Sequence, residues 1–269
     1  MATLIITYVV VGIIAGVLAG LLGVGGGLVI VPMLLYCFTE QDFSYDQIMH
    51  IALGTSMASI IFTSISSFMA HNRHGAVRWD IFKGIVLGIL LGTFLGSCVA
   101  ARMSTAFLSV FFVIFLYYVS FQMALDRKPS ASRELPGSLG MFGVGNIIGA
   151  VSSFVGIGGG SLSVPFMIWC NIPPHHAIGT SAAIGFPIAI AGTIGYIYAG
   201  INKLNLPDYS LGYVYLPALA GIVFSSVMTA PLGAKLAHRL PVRRLKQVFL
   251  GVQFRDGIEV KREEVLAVA

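Results

Sequence analysis

Two short stretches of this chain could do chemistry with their backbone rather than their side chains. Gly23, Gly25, Gly26 and Gly27, followed by Pro32, recur in register as Gly156, Gly158, Gly159 and Gly160, followed by Pro165. Both lie inside apolar runs, where each glycine costs a helix roughly 1 kcal/mol, so a helix should break at each. The segments beyond, residues 28–38 and 161–171, are apolar and long enough for a short second helix. A helix that begins at mid-membrane depth presents unpaired N–H groups and the positive end of its dipole, which suits an anion. Broken helices at matching positions of two halves point to the binding site in transporters. Close helix packing is the competing use of such glycines, but it places small residues every fourth position rather than three in a row. The candidate substrate contacts are therefore Gly25, Gly26, Gly27, Gly158, Gly159 and Gly160, with the Ser161 hydroxyl beside the second turn.

Other polar residues recur with the glycines. Gly54-Thr55-Ser56 is matched by Gly179-Thr180-Ser181, and His50 by His175. The hydroxyls of Thr55, Ser56, Thr180 and Ser181 could donate to an anion, or equally bond between helices. Ser163 reads as an interhelical partner. His50 and His175 start their spans, where capping is the simpler role; a proton or substrate role is the alternative. Cys37 and Cys170 lie about ten residues past their glycine turns, roughly 15 Å along a helix, and read as core side chains. No Asp, Glu, Lys or Arg falls in the middle of a span, so the carboxylate relays of cation pumps are missing. The glycine stretches follow no strand and lack the βαβ setting of a dinucleotide loop, and no hydrolase elbow or zinc motif occurs. Neither an enzyme nor a metal or other cofactor is expected.

The elements that must hold these residues are membrane spans. Hydrophobic residues make up 57% of the chain and charged ones 10%, against about 25% charged in soluble domains; mean hydropathy is +0.89. The net charge of +5 sits in short loops between apolar runs, which favours membrane orientation over nucleic acid as its cause. Residues 1–8 carry no basic segment and no convincing cleavage site, so no signal peptide is expected.

The expected fold is an all-α polytopic membrane protein of two homologous halves, residues 1–125 and 138–250. They are joined by a polar linker, 126–137, and followed by a polar tail, 251–269. Each half contains a glycine-broken unit and three spans, the last span of the second half being truncated or atypical because the chain turns highly charged after Leu250. Gly84, Gly88, Gly92 and Gly96 form a small-residue stripe matched by Gly221, Ser225, Thr229 and Gly233, for helix packing. A single methyl on this stripe, as in Gly88→Ala, is expected to be milder than a β-branched residue at the turns. Pro187, Pro217 and Pro231 should kink their spans. If each broken unit is a re-entrant hairpin, the halves are inverted. The basic residues at 73–78, 127–133 and 239–246 then share one side, leaving Arg102 and Lys203 opposite with the acidic loop 40–46. The positive-inside rule favours that arrangement over single crossings and makes the basic side cytoplasmic.

The doubled glycine motif, the two Gly-Thr-Ser triplets, Arg73-His74-Gly75-Ala76-Val77 and Leu240-Pro241-Val242-Arg243-Arg244-Leu245-Lys246 together resemble the sulfite exporter TauE/SafE family of bacterial and archaeal membrane transporters. The resemblance covers about residues 5–250. It implies outward movement of sulfite, a sulfonate or another organosulfur anion across a prokaryotic cytoplasmic membrane. The residues themselves reach a small anionic substrate in a lipid bilayer. A passive anion channel with a backbone-lined filter uses the same donors and stays open as the alternative.

Overall fold

The computed structural model describes residues 2–22, 26–124 and 134–237. The helices are α1 (Ala2–Leu22), α2 (Gly27–Thr39), α3 (Tyr45–Arg73), α4 (Trp79–Ala100), α5 (Thr105–Ala124), α6 (Ser138–Val155), α7 (Gly160–Trp169), α8 (Pro174–Gly200) and α9 (Leu216–Ala237). Between α8 and α9 lies a small antiparallel hairpin, β1 (Ser210–Leu211) and β2 (Val214–Tyr215). Six of these helices are long and apolar enough to cross a membrane, α3, α4, α5, α6, α8 and α9. The expected all-helical, polytopic architecture is present. Gly25, most of the linker at 126–137, the basic cluster at 239–246, the last expected span and the tail at 251–269 lie outside the described residues.

Helices stop and restart where the glycines demand it. α1 ends at Leu22 and α2 starts at Gly27, capped by Gly26 at φ 82°. In the second half α6 ends on Gly156 at φ 70° and α7 is capped by Gly159 at φ 76°. Left-handed backbone of this kind is readily adopted only without a Cβ. After its turn α2 runs back along α1. The Gln41 amide nitrogen, just beyond α2, donates to the Tyr8 hydroxyl at 2.8 Å, while Gly26 lies against Ala15.

Helix directions follow from paired contacts. α3 and α8 are the long central helices, buried over most of their length. They run antiparallel, with Gly54 beside Tyr196, Met57 beside Gly192 and Ser64 beside Gly185. α1 lies parallel to α9, Tyr8 meeting Gly221, Gly12 meeting Ile222 and Gly16 meeting Ser226. α4 lies parallel to α6 in the same way, through Gly84 and Met141, Gly92 and Asn146, and Gly96 and Ala150. Thus the first helix of each half packs along the fourth helix of the other.

The small-residue stripe is at these contacts, as its spacing predicts. One expectation fails there. A methyl on Gly88 would collide with the Phe142 carbonyl oxygen, and Gly92 is held equally close to the backbone of Asn146. Backbone cannot swing aside as a side-chain tip can, so Gly88→Ala is not mild. Pro217 also differs from expectation: it is the second residue of α9, in the first turn, where a missing N–H costs nothing. Pro187 and Pro231 do lie inside α8 and α9.

Gly88→Ala should lower the thermal midpoint of the purified protein in detergent, by overpacking worth about 1–3 kcal/mol. Gly84→Ala, whose methyl would meet Met141 Cβ at an ordinary 3.7 Å, should leave the midpoint unchanged.

Candidate functional site

The two glycine turns touch. A Cβ on Gly27 would strike the carbonyl oxygen of Gly156 and lie 2.9 Å from the Cα of Ile157. No side chain caps α2 or α7. In the first turn the Gly26 carbonyl accepts from the N–H groups of Val29 and Ile30. In the second the Gly159 carbonyl accepts from Leu162 at 3.1 Å and Ser163 at 2.8 Å. The first N–H groups of each short helix, those of Gly27, Leu28, Gly160 and Ser161, have no acceptor in the helix itself. Residues 156–161 are all buried, Gly158 and Gly160 among them.

Two hydroxyls beside the second turn are buried and unpaired. Ser161 Oγ belongs to the first turn of α7 and has no partner. Ser152 Oγ, on the last turn of α6, also has none, and lies 3.5 Å from where a Cβ of Gly159 would be. A buried hydroxyl without a bond costs about 1–3 kcal/mol, so a pair of them at one turn is a demand for an acceptor. Sequence reasoning missed Ser152. Its counterpart in the first half is Ala19, so the repeat did not flag it; its position four residues before Gly156 is the only signal it carries.

The Gly-Thr-Ser triplets hold the other half of the chain. The Ser56 hydroxyl donates to the Gly156 carbonyl at 2.8 Å, across to the second glycine turn. Thr55 Oγ1 accepts the N–H of Tyr215, the residue before α9, at 2.9 Å. Thr180 Oγ1 accepts the N–H of Arg78, the residue before α4, at 2.9 Å. The glycines make these approaches possible: Gly54 lies against the Tyr213 backbone and Gly179 against the Ala76 backbone. Ser181 Oγ accepts from Ser163 Oγ at 2.9 Å. Ser56 and Ser181 thus adjoin the glycine units, while both threonine hydroxyls are engaged with the linkers that enter α4 and α9.

The paired histidines are not brought together. His50 is buried, its Nε2 donating to the Met103 carbonyl at 3.0 Å and its ring stacked on Tyr213 at 5.1 Å. His175 is exposed, its ring 4.0 Å from that of His176. Because α3 and α8 are antiparallel, the starts of these helices lie at opposite ends of the bundle. Cys37 and Cys170 are buried and not joined by a disulfide, as their position in the core predicts. Among the described residues no group of His, Cys, Asp and Glu could hold a metal ion. No Asp, Glu, Lys or Arg side chain is buried among them either.

This geometry separates two kinds of hydroxyl. Ser161→Ala and Ser152→Ala remove groups with no bond to lose, so the thermal midpoint should hold or rise, while affinity for a transported anion falls several-fold. Thr55→Val and Thr180→Val each leave a part-buried N–H without its acceptor, which costs up to about 1–3 kcal/mol and should lower the midpoint. Thr→Ser at either position should restore it.

Similar proteins identify the family. A family model described as sulfite exporter TauE/SafE matches residues 8–255. A protein of Haemophilus influenzae named "probable membrane transporter protein" is 38% identical over 251 residues, covering 93% of this chain and 95% of that relative. YunE of Bacillus subtilis, also named a probable membrane transporter, is 28% identical, covering 87% of this chain and 90% of its own. A probable membrane transporter of the archaeon Methanocaldococcus jannaschii is 26% identical, with 84% of each chain covered. No solved structure matches. The apolar spans, the doubled glycine turns and a family match over nearly the whole length lead to one conclusion: this chain is a multi-pass membrane protein belonging to the TauE/SafE family of transporters.

Proposed function

We propose that the protein exports a small sulfur-containing anion, sulfite or an organosulfonate, bound between the two glycine turns by backbone N–H groups. The observation that carries this reading is the contact of the uncapped α2 N-terminus with the Gly156–Ile157 turn that leads into the uncapped α7, a turn flanked by the unpaired Ser152 and Ser161 hydroxyls. Donors without acceptors, in a region free of buried side-chain charge, suit an anion and repel a cation. Substrate contacts are assigned to Gly25, Gly26, Gly27, Gly158, Gly159, Gly160 and Ser161, with Ser56 and Ser181 holding the turns from behind. Thr55 and Thr180 act on the linkers. The family description supports the sulfur chemistry proposed for the substrate.

The transport cycle in this reading is alternating access between inverted halves, each glycine unit being a re-entrant hairpin. Three observations support it: α3 and α8 run antiparallel, α2 returns along α1 to Tyr8, and each half's first helix lies on the other's fourth. Residues 74–78 and the basic segments would face the cytoplasm, and residues 201–209 the outside. A single cysteine introduced at Asn205 should then react with an impermeant maleimide added to whole cells, and one at His74 only after lysis. The reverse pattern would overturn the orientation.

An anion held by neutral donors carries its full charge across. With the cytoplasm negative, export gains about 2.3 kcal/mol per charge per 100 mV, enough to drive efflux without a coupled cation. In proteoliposomes, sulfite efflux should saturate, show counterflow and accelerate with an inside-negative potassium diffusion potential. Flux that neither saturates nor shows counterflow would make the protein a channel. Efflux indifferent to potential but abolished by collapsing a proton gradient would mean proton coupling. A panel of sulfite, sulfoacetate, taurine, thiosulfate and sulfate in the same assay identifies the anion.

A further inference from the structure

We propose that a pocket between the C-terminal ends of α4 and α8, away from the glycine turns, binds the phosphate of an anionic phospholipid headgroup. The pocket has a volume of about 310 Å³ and is lined by Cys98, Ala101, Arg102, Tyr198, Asn202 and Lys203 among others. Its charge is one-sided: the lining contains Arg102 and Lys203 and no carboxylate, and neither cation makes an ion pair among the described residues. Two like charges on one pocket repel each other, and an anion between them removes that repulsion while gaining both attractions. A guanidinium offers a planar fork of donors and an ammonium a point charge, the combination that suits phosphate oxygens. Asn202 and Tyr198 add an amide and a hydroxyl for the rest of a headgroup.

Position selects a lipid as the source of that phosphate. Immediately below the pocket, Leu95 and Val99 of α4 and Ile194 and Tyr198 of α8 are exposed large hydrophobic residues, on helices that are long and apolar enough to span a bilayer. Acyl chains would cover that face. Arg102 and Lys203 follow directly on the ends of the two helices, at Ala100 and Gly200, where hydrocarbon gives way to headgroups. Tyr198, 70% exposed, stands near the end of α8, at the level where interfacial aromatics are enriched. A phosphate tethered to two acyl chains fits both the charge of the pocket and the greasy ledge beneath it.

Native mass spectrometry of the detergent-solubilised full chain provides the test, with phosphatidylglycerol and phosphatidylcholine as probes. The wild-type protein should retain phosphatidylglycerol over phosphatidylcholine roughly tenfold or more, the size expected of two cations beside an anionic headgroup. The preference should collapse in Arg102→Gln/Lys203→Gln and persist in Arg73→Gln/Lys83→Gln, which removes two exposed cations elsewhere. All four residues are exposed, so folding should be unaffected, and the wild-type comparison needs no variant. Equal retention of the two lipids, or a preference unchanged in the pocket variant, would overturn the proposal. Displacement of phosphatidylglycerol by millimolar inorganic phosphate would also overturn it, assigning the pocket to a soluble anion. This outcome is independent of whether sulfite is transported.

Discussion

Every feature of this fold answers to one constraint: a backbone N–H or C=O group in hydrocarbon must find a partner inside the protein. Two helices broken within the apolar part of the chain would be ruinous alone, because each break frees donors and acceptors. The molecule manages this by giving each break to the other half to cover. Gly27 seats against Gly156, and Ser56 takes the Gly156 carbonyl. Gly26, Gly27 and residues 156–161 are all buried, out of reach of lipid. The leading N–H groups of α2 and α7 have no acceptor within their own helices, and the buried hydroxyls of Ser152 and Ser161 have no partner. Gathered at the turns, these donors define the chemistry that the turns can offer.

The same reciprocity governs the outer helices. Residues that enter α4 are tied to α8 by Thr180, and residues that enter α9 are tied to α3 by Thr55. Both bonds are from a backbone N–H to a threonine oxygen, and beside each a glycine lets the linker backbone come close. Neither linker can shift without disturbing a central helix of the opposite half. The small-residue stripes extend the coupling. On α4 the stripe is glycine, while on α9 two of its places are Ser225 and Thr229, and the Thr229 hydroxyl donates to the Ile13 carbonyl at 3.2 Å. One interface is thus closed by bare backbone contact, the other partly by hydroxyls.

Much of this was legible in the sequence, for a physical reason. Glycine is the one residue whose presence reports backbone geometry directly, so the turns at Gly26, Gly156 and Gly159 and the packing at Gly92 and Gly96 stood out. The spans were legible because lipid demands long apolar runs. What the pattern could not reveal depends on partners far away along the chain. Thr180 and Arg78 are 102 residues apart, Thr55 and Tyr215 160, and nothing local distinguishes a hydroxyl that faces a linker from one that faces a ligand. The hairpin at residues 210–215 has strands of two residues each, too short to show alternation. Ser152 escaped because the repeat is broken there. The harm of a methyl at Gly88 was hidden for a related reason: spacing identifies a packing face but not how near the neighbour's backbone comes.

The pairing of α1 with α9 bears on how the molecule is made. Tyr8, Gly12 and Gly16 find their neighbours at residues 221–229, and the Ile13 carbonyl receives its hydroxyl from a residue 216 positions later. A chain emerging from the ribosome therefore inserts α1 with its packing face exposed, and must hold it so until nearly all the remaining described helices have entered the bilayer. The α4 and α6 contact, far shorter in sequence, can close much earlier. Biogenesis thus has a fixed order, with the central and α4–α6 contacts formed first and the amino-terminal helix locked last. The first half is not a unit of assembly: cut from its partner, it would leave Gly27 without the Gly156 backbone against it and its first helix with no groove to occupy.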